Sequence, residues 1–395
     1  MKISRNTARL KPSATMAVSA RARELKAKGR NILNLSVGEP DFPTPEHICA
    51  AAREAADAGF THYTPVPGIP ELLDAAAGYL NRFYDAGASR ENIITGNGGK
   101  HCIYNIFACL LDPGDEVLVP APYWVSYPPM VELTGAKAVV VAAPAEKNFK
   151  VDPDMLEAHL SPRTRMLILN SPSNPTGVCS TREELDALAS WAVDKKLIVL
   201  SDEIYDRLTY GGLQAQSLCS WWKRFPEHFV IVNGVSKTFA MTGWRVGYTL
   251  AAPELIKAIN RLMGQSTSNV CSIAQKAAVA ALNGDYSFVE SMRAAFERRR
   301  DITLRAVSGW PDVFCPEPHG GIYCFPDVHR HYGAAFSDSV SFCSYLLDEA
   351  GVAVVPGAAF GDDRCVRISY AVSDDILSEA LEKIGGVLAR NAVSR

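Results

Sequence analysis

With 395 residues, 48% of them hydrophobic and 21% charged, the chain can form about two globular domains around a large core. A formal net charge of −3 gives no electrostatic basis for nucleic acid or an anionic membrane as a partner, and no apolar run approaches the roughly 18 residues of a membrane span. The ten cysteines are scattered without a C-x-x-C pair or zinc spacing; residues such as Cys102, Cys109 and Cys343 read as small buried hydrophobes, which predicts no metal site and a reducing, cytoplasmic setting.

Taken in order, the chain opens with six basic residues (Lys2, Arg5, Arg9, Lys11, Arg21, Arg23) before its first acid, Glu24. Because the segment runs into helix-like sequence at about Met16 to Lys28, a basic arm is expected rather than a transit peptide. Ile32 to Val37 reads as a strand. Thr44-Pro45 looks like an N-cap with proline at N1, opening a helix that stops at Gly59. A proline-rich loop around Tyr63 leads to a helix from about Glu71 to Tyr84. Ile93 to Thr95 is a strand, and Gly98-Gly99-Lys100 opens a helix to Leu111. Strands follow at Val117 to Val119 and Ala138 to Ala142, with a helix expected to begin at Ala121-Pro122-Tyr123-Trp124. Further strands are Arg165 to Leu169, Leu197 to Leu200, Phe229 to Val232 and Tyr248 to Ala251. The T-R-E-E capping box at Thr181 starts a helix to about Lys195. Continuous apolar strands alternating with helices predict an α/β domain with a mainly parallel sheet covered on both faces. From about Ser266 long helices (Ile273 to Leu282, Phe288 to Val307) and short strands (Gly321 to Phe325, Val352 to Val355, Cys365 to Ser369) predict a smaller α+β domain. The expected division is 46–289 for the large domain, and 1–45 with 290–395 for the small one.

Asn174, Asp202 and Lys237 each follow a predicted strand, at intervals that fit one strand–helix–strand unit each. That places all three at the carboxyl edge of the sheet, where open α/β sheets bind ligands. Asp202 closes an apolar run, so its carboxylate needs a cationic or donor partner. Gly98-Gly99-Lys100 at a helix start can form a backbone nest for an anion, with Ser236 and Arg245 as further donors. Trp124 and Tyr205 could stack on or bond to a flat group, and Arg367, alternating with Val366 and Ile368, could be a fork for a carboxylate. Singly, each has a plainer explanation: solvated cations, a helix N-cap, a simple turn, core aromatics.

Together these residues closely resemble the class I aminotransferases of the fold-type I pyridoxal-phosphate enzymes. The motifs are V-G-E-P-D-F at 37–42, N-S-P-S-N-P-T-G at 170–177, S-D-E-I-Y at 201–205, S-K-T-F-A-M-T-G-W-R-V-G at 236–247 and R-I-S-Y at 367–370. The resemblance runs from about Arg5 to the last helix and implies a seven-stranded sheet in the large domain, with pyridoxal 5'-phosphate as cofactor. It implies that Lys237 holds the cofactor covalently and serves as general base, that Asp202 pairs with the ring nitrogen, and that Tyr205 and Asn174 bond the phenolic oxygen. Gly98, Gly99, Ser236 and Arg245, with Lys100 beside them, are implied at the phosphate, Trp124 on the ring, and Tyr63 at the phosphate of a neighbouring subunit in a homodimer. Arg367 is implied to take the substrate α-carboxylate with Asn174, Trp124 and the backbone of Gly38. K-P-S-A-T-M-A-V at 11–18, G-G-K at 98–100 and P-Y-W-V-S-Y at 122–127 resemble a bacterial aspartate-using subgroup that often accepts prephenate. There Lys11, Thr15 and Lys100 are associated with the second carboxylate. The arginine that better-known aspartate enzymes carry just before the segment matching Ser268-Asn269 is missing from G-Q-S-T-S. Lys11 and Lys100 could supply the charge in its place, and the subgroup resemblance implies aspartate with 2-oxoglutarate as the expected pair. Aromatic or aliphatic amino acids are the alternative, followed by an inactive cofactor-binding regulator.

Overall fold

The computed structural model describes residues 1, 3–8, 10, 12 and 14–391. Among them twelve strands run in chain order: β1 Leu33–Asn34, β2 Ile93–Gly96, β3 Glu116–Ala121, β4 Lys137–Ala142, β5 Thr164–Asn170, β6 Ile198–Asp202, β7 Phe229–Gly234, β8 Gly247–Leu250, β9 Tyr323–Cys324, β10 Val352–Ala353, β11 Val355–Pro356 and β12 Val366–Ser369. Seven of them form one sheet in the order β2-β8-β7-β6-β5-β3-β4. The pairings from β7 through β4 are parallel, whereas β8 runs antiparallel to both β7 and β2.

Both faces of the central strands of this sheet are dry because those strands are apolar at consecutive positions, whereas the edge strand β4 is largely exposed. Leu118, Leu167, Val199 and Phe229 pack into one core, while Val117, Met166, Leu200 and Val230 pack into another on the opposite face. Successive side chains of a strand point to opposite faces, so an unbroken apolar run dictates a helix layer on each side. A third core holds the helix Asp374–Arg390 against β9, β10 and β12. The small strands form a three-stranded antiparallel sheet, β11-β12-β9, and a parallel pair, β1-β10.

The helix Arg182–Asp194 begins as its sequence predicts: Thr181 Oγ1 accepts the Glu184 amide, and the Glu184 carboxylate accepts the Thr181 amide. Two expected helix starts differ. Thr44 does not cap the helix Glu46–Asp57; its hydroxyl donates to the Ala240 carbonyl at 2.8 Å and accepts the Trp244 indole N–H at 3.0 Å. A long-range pair of bonds therefore replaces the local cap. The helix expected from Ala121 to Trp124 begins at Tyr127, which leaves Trp124 on a turn facing a cleft. The strand expected at Val352 to Val355 splits at Val354, because β10 pairs with β1 and β11 with β12. Among the described residues no helix is long and apolar enough to cross a membrane, and no cluster of His, Cys, Asp and Glu could hold a metal ion.

Candidate active site

β5, β6 and β7 are parallel and in register, with Asn170 opposite Asp202 and Asp202 opposite Val232. Their carboxyl ends open into a cleft of about 440 Å³ whose wall includes Asn174, Asp202, Ser236 and Lys237. Across the cleft stand Gly38 and Arg367, together with the helix Ala14–Ala27.

Asp202 is buried, and burial pushes its carboxyl up to about 6 despite two donors. These are the Tyr127 hydroxyl, 2.7 Å from Oδ2, and the Ile204 amide, 3.3 Å from Oδ1. A carboxylate so placed is short of a cation. Burial pulls the Lys237 ammonium down to about 8, opposed by the charge of Glu39 and reinforced by Arg367 and Arg245. Its Nζ donates to the Gly38 carbonyl and lies 5.8 Å from the Tyr205 ring centroid. An amine that is partly neutral at physiological pH is both a nucleophile and a base.

Beside this pair lies a nest without side chains. Gly98 has φ +83°, and a Cβ there would sit 2.4 Å from the Arg245 guanidinium. A Cβ on Gly247 would meet the backbone of Gly98 and Gly99 at 2.6–2.7 Å, so the reversed strand β8 lies directly under the start of the helix Gly99–Leu110. That helix has no side-chain cap. Its free amides, with Arg245 and Ser236 alongside, form a site for an anion. Arg245 is held in place by the carbonyls of Thr242 and Asn97, at 2.8 and 3.3 Å.

Arg367 on β12 is 2% exposed. Its guanidinium donates to Asn174 Oδ1 at 3.1 Å and to the Ser36 carbonyl at 2.8 Å, and lies over the Tyr323 ring at 4.4 Å. Its Nε is buried with no partner. A buried guanidinium held by two neutral acceptors, its Nε unpartnered, is built to receive a carboxylate.

Residues 30–384 match the family model "Aminotransferase class I and II". The chain is a class I and II aminotransferase. It is 43% identical over 385 residues to an aspartate aminotransferase of Bacillus subtilis, covering 97% of this chain and 98% of that one. It is 45% identical over 389 residues to an aspartate/prephenate aminotransferase of Cereibacter sphaeroides, covering 97% of each. Its fold matches the aspartate aminotransferase of Thermus thermophilus solved with maleate, at TM-score 0.93 and 43% identity, over 98% of this chain and all of that one.

Aminotransferases of this family depend on pyridoxal 5'-phosphate. The residues present fit that group: a cradle that any Cβ at Gly98 would fill, a buried carboxylate short of a cation, and an amine lowered by burial. Of the residues singled out in the sequence, the aminotransferase cleft gathers Thr15, Gly38, Gly99, Lys100, Trp124, Asn174, Asp202, Tyr205, Ser236, Lys237, Arg245 and Arg367. Gly98 adjoins it through Arg245. Lys100 Nζ lies 5.0 Å over the Trp124 ring, and burial followed by the Arg245 charge lowers its pKa. Tyr63 stands outside the cleft at 90% exposure, and Lys11 falls outside the described residues.

Sequence reasoning missed Tyr127 and Tyr323. Tyr127 lies in the quoted P-Y-W-V-S-Y run, and the need of a buried Asp202 for donors was the signal that could have singled it out. Tyr323 joins the two halves of the site, its hydroxyl 3.0 Å from that of Tyr205 and its ring under Arg367. Nothing local in G-I-Y-C-F marks that role.

Proposed function

We propose that the chain transfers the amino group between L-aspartate and 2-oxoglutarate, working as a homodimer in the cytoplasm. The observation that carries this reading is the buried guanidinium of Arg367 facing Lys237 and Asp202 across one cleft, with cationic and hydroxyl groups left over for a second carboxylate. The names of the relatives above support aspartate as the amino donor, and the name of the second of them supports prephenate as a further amino acceptor. All ten cysteines are free thiols, which supports a reducing compartment. The division proposed for the chain remains 46–289, and 1–45 with 290–395.

Bound pyridoxal phosphate supplies an electron sink for the substrate's α carbon and carries the amino group between the two half-reactions. Asp202 would hold the ring nitrogen, and its ionised form would keep a proton there. Gly98, Gly99, Lys100, Ser236 and Arg245 would hold the phosphate. Tyr205 and Asn174 would hold the phenolic oxygen, and Trp124 a ring face. Tyr63, exposed and outside this cleft, would reach that of a neighbouring subunit. Arg367, with Asn174 and the Gly38 backbone, grips the α-carboxylate and so fixes the direction of the Cα–H bond. Lys237 would hold the cofactor covalently at rest and, as a free amine lowered by burial, would be the base that takes the proton from Cα and the acid that gives it up again. Thr15 and Lys100 line the cleft where the substrate's side chain would lie, and Lys11 is assigned to its second carboxylate by the family resemblance alone.

Purified holoprotein should be yellow, lose that colour when L-aspartate alone is added, and regain it with 2-oxoglutarate. Bleaching by apolar amino acids but not by aspartate would overturn the substrate assignment. No bleaching by any amino acid would overturn transamination itself.

A further inference from the structure

Tyr323 on β9 pairs with Ser369 of β12, and Arg367 lies two residues before Ser369 on that strand. Side chains two apart share a sheet face, so Tyr323 and Arg367 stand side by side, the ring centroid 4.4 Å from the guanidinium carbon. Tyr205 comes from the turn after β6 and brings its hydroxyl to 3.0 Å from that of Tyr323. Both residues are buried, at 3% and 1% exposure, so neither hydroxyl can rely on water. Among the described residues this is the one hydrogen bond either hydroxyl makes. The pair carries two protons and shares one, which leaves the other a buried donor without an acceptor. The ionisable groups around the pair are committed elsewhere. Asp202 accepts from Tyr127 and Ile204, Lys237 donates to the Gly38 carbonyl, Arg367 donates to Asn174 and Ser36, and Glu39 accepts from Thr242.

Which hydroxyl keeps the spare proton follows from what lies beyond each. A Cβ on Gly38 would stand 2.7 Å from the Tyr323 oxygen, so main chain closes that side, and the Gly38 carbonyl is already taken by Lys237. Tyr205 stands beside Lys237, whose Nζ is 5.8 Å from its ring centroid. Burial, and then the neighbouring Tyr323 oxygen, push the Tyr205 hydroxyl well above its ordinary range, so it stays a donor. We propose that Tyr323 is a positioning residue: it donates to the Tyr205 oxygen, turns the Tyr205 proton toward the phenolic oxygen of pyridoxal phosphate, and lowers the pH at which the nitrogen joining Lys237 to the cofactor gives up its proton. This rests on the reading that places Tyr205 at that oxygen. A hydroxyl that accepts one hydrogen bond donates the next more strongly. A phenolic oxygen held that way carries negative charge more easily, so the proton it shares with the Lys237 nitrogen leaves at lower pH.

The test is a pH titration of the visible absorbance of the holoenzyme, run on wild type, Tyr323→Phe, Tyr205→Phe and the double variant. Tyr323→Phe removes one oxygen and keeps the ring beside Arg367, so the α-carboxylate fork is retained. A supporting bond strengthens a charge-assisted one by about 10–30%, so Tyr323→Phe should raise the midpoint by roughly 0.2–0.6 pH unit. Tyr205→Phe should raise it by about 1 unit or more, and the double variant should titrate with Tyr205→Phe, because Tyr323 acts through Tyr205. A merely structural role would not produce that non-additivity. An unchanged or lowered midpoint in Tyr323→Phe, beside a raised one in Tyr205→Phe, overturns the role of Tyr323 and leaves Tyr205 at the phenolic oxygen. Shifts that add in the double variant overturn the route through Tyr205. A midpoint unmoved in all three variants overturns the placement of Tyr205 on which the inference rests.

Discussion

Asp202→Asn should make the cofactor-free protein more stable while disabling it as an enzyme. Burial raises the Asp202 carboxyl from its ordinary 3.8 to about 6, so the fold binds this proton more tightly than the unfolded chain does. That contribution to stability is complete below pH 3.8 and is lost as pH rises through 6. The interval corresponds to about 3 kcal/mol carried as a cost by the wild-type apoprotein above pH 7. Asparagine has nearly the same shape and no charge to desolvate, and it keeps one oxygen for the Tyr127 hydroxyl or the Ile204 amide. Losing the other acceptor costs about 1 kcal/mol. Chemical denaturation of both apoproteins should therefore give a difference that starts at or slightly below zero near pH 4. It should then grow to about 2–3 kcal/mol in favour of Asp202→Asn at pH 8. A pH-independent difference, or a wild type that is the more stable at pH 8, would refute the reasoning that this carboxylate is held ionised at the expense of the fold.

Three other outcomes follow from the same geometry. Lys237, lowered to about 8, should bond to pyridoxal phosphate added to apoprotein faster as pH rises from 7 to 9 and level off above that; a flat rate, read from the visible absorbance, counts against a buried free amine. Arg367→Lys, which removes the planar fork and leaves one shorter-ranged ammonium to serve Asn174 Oδ1, the Ser36 carbonyl and the substrate together, should cut kcat/KM for every amino acid by about 100-fold. Loss confined to dicarboxylic substrates would move Arg367 to the other end of the substrate. Gly98→Ala places a Cβ against Arg245 at positive φ, so cofactor affinity measured by titration of the apoprotein should fall at least about 10-fold; unchanged affinity would show the nest is not where the phosphate rests.

The catalytic edge was legible because it obeys a rule of topology. Asn174, Asp202 and Lys237 follow apolar runs of strand length, and parallel strands deliver whatever follows them to one side. The capping box at Thr181 was legible because both its partners lie within four residues. What escaped depends on contacts remote in sequence. Thr44 has the chemistry of a cap, yet bonds to Ala240 and Trp244, about 200 residues away. Nothing in G-Y-T-L shows that β8 runs against its neighbours. The Tyr127–Asp202 bond spans 75 residues, and the link from Ser19 through Ser36 to Arg367 spans over 300. Such pairs carry no local signature.

Where Gly247 lies beneath Gly98 and Gly99, main chain rests on main chain with nothing between. A joint of that kind leaves no room for a side chain, so a substitution at Gly98 or Gly247 can change the anion nest only by displacing its neighbours. Variation in what the enzyme accepts is freer along the N-terminal helix and at Lys100, where single side chains can be exchanged without disturbing the sheet.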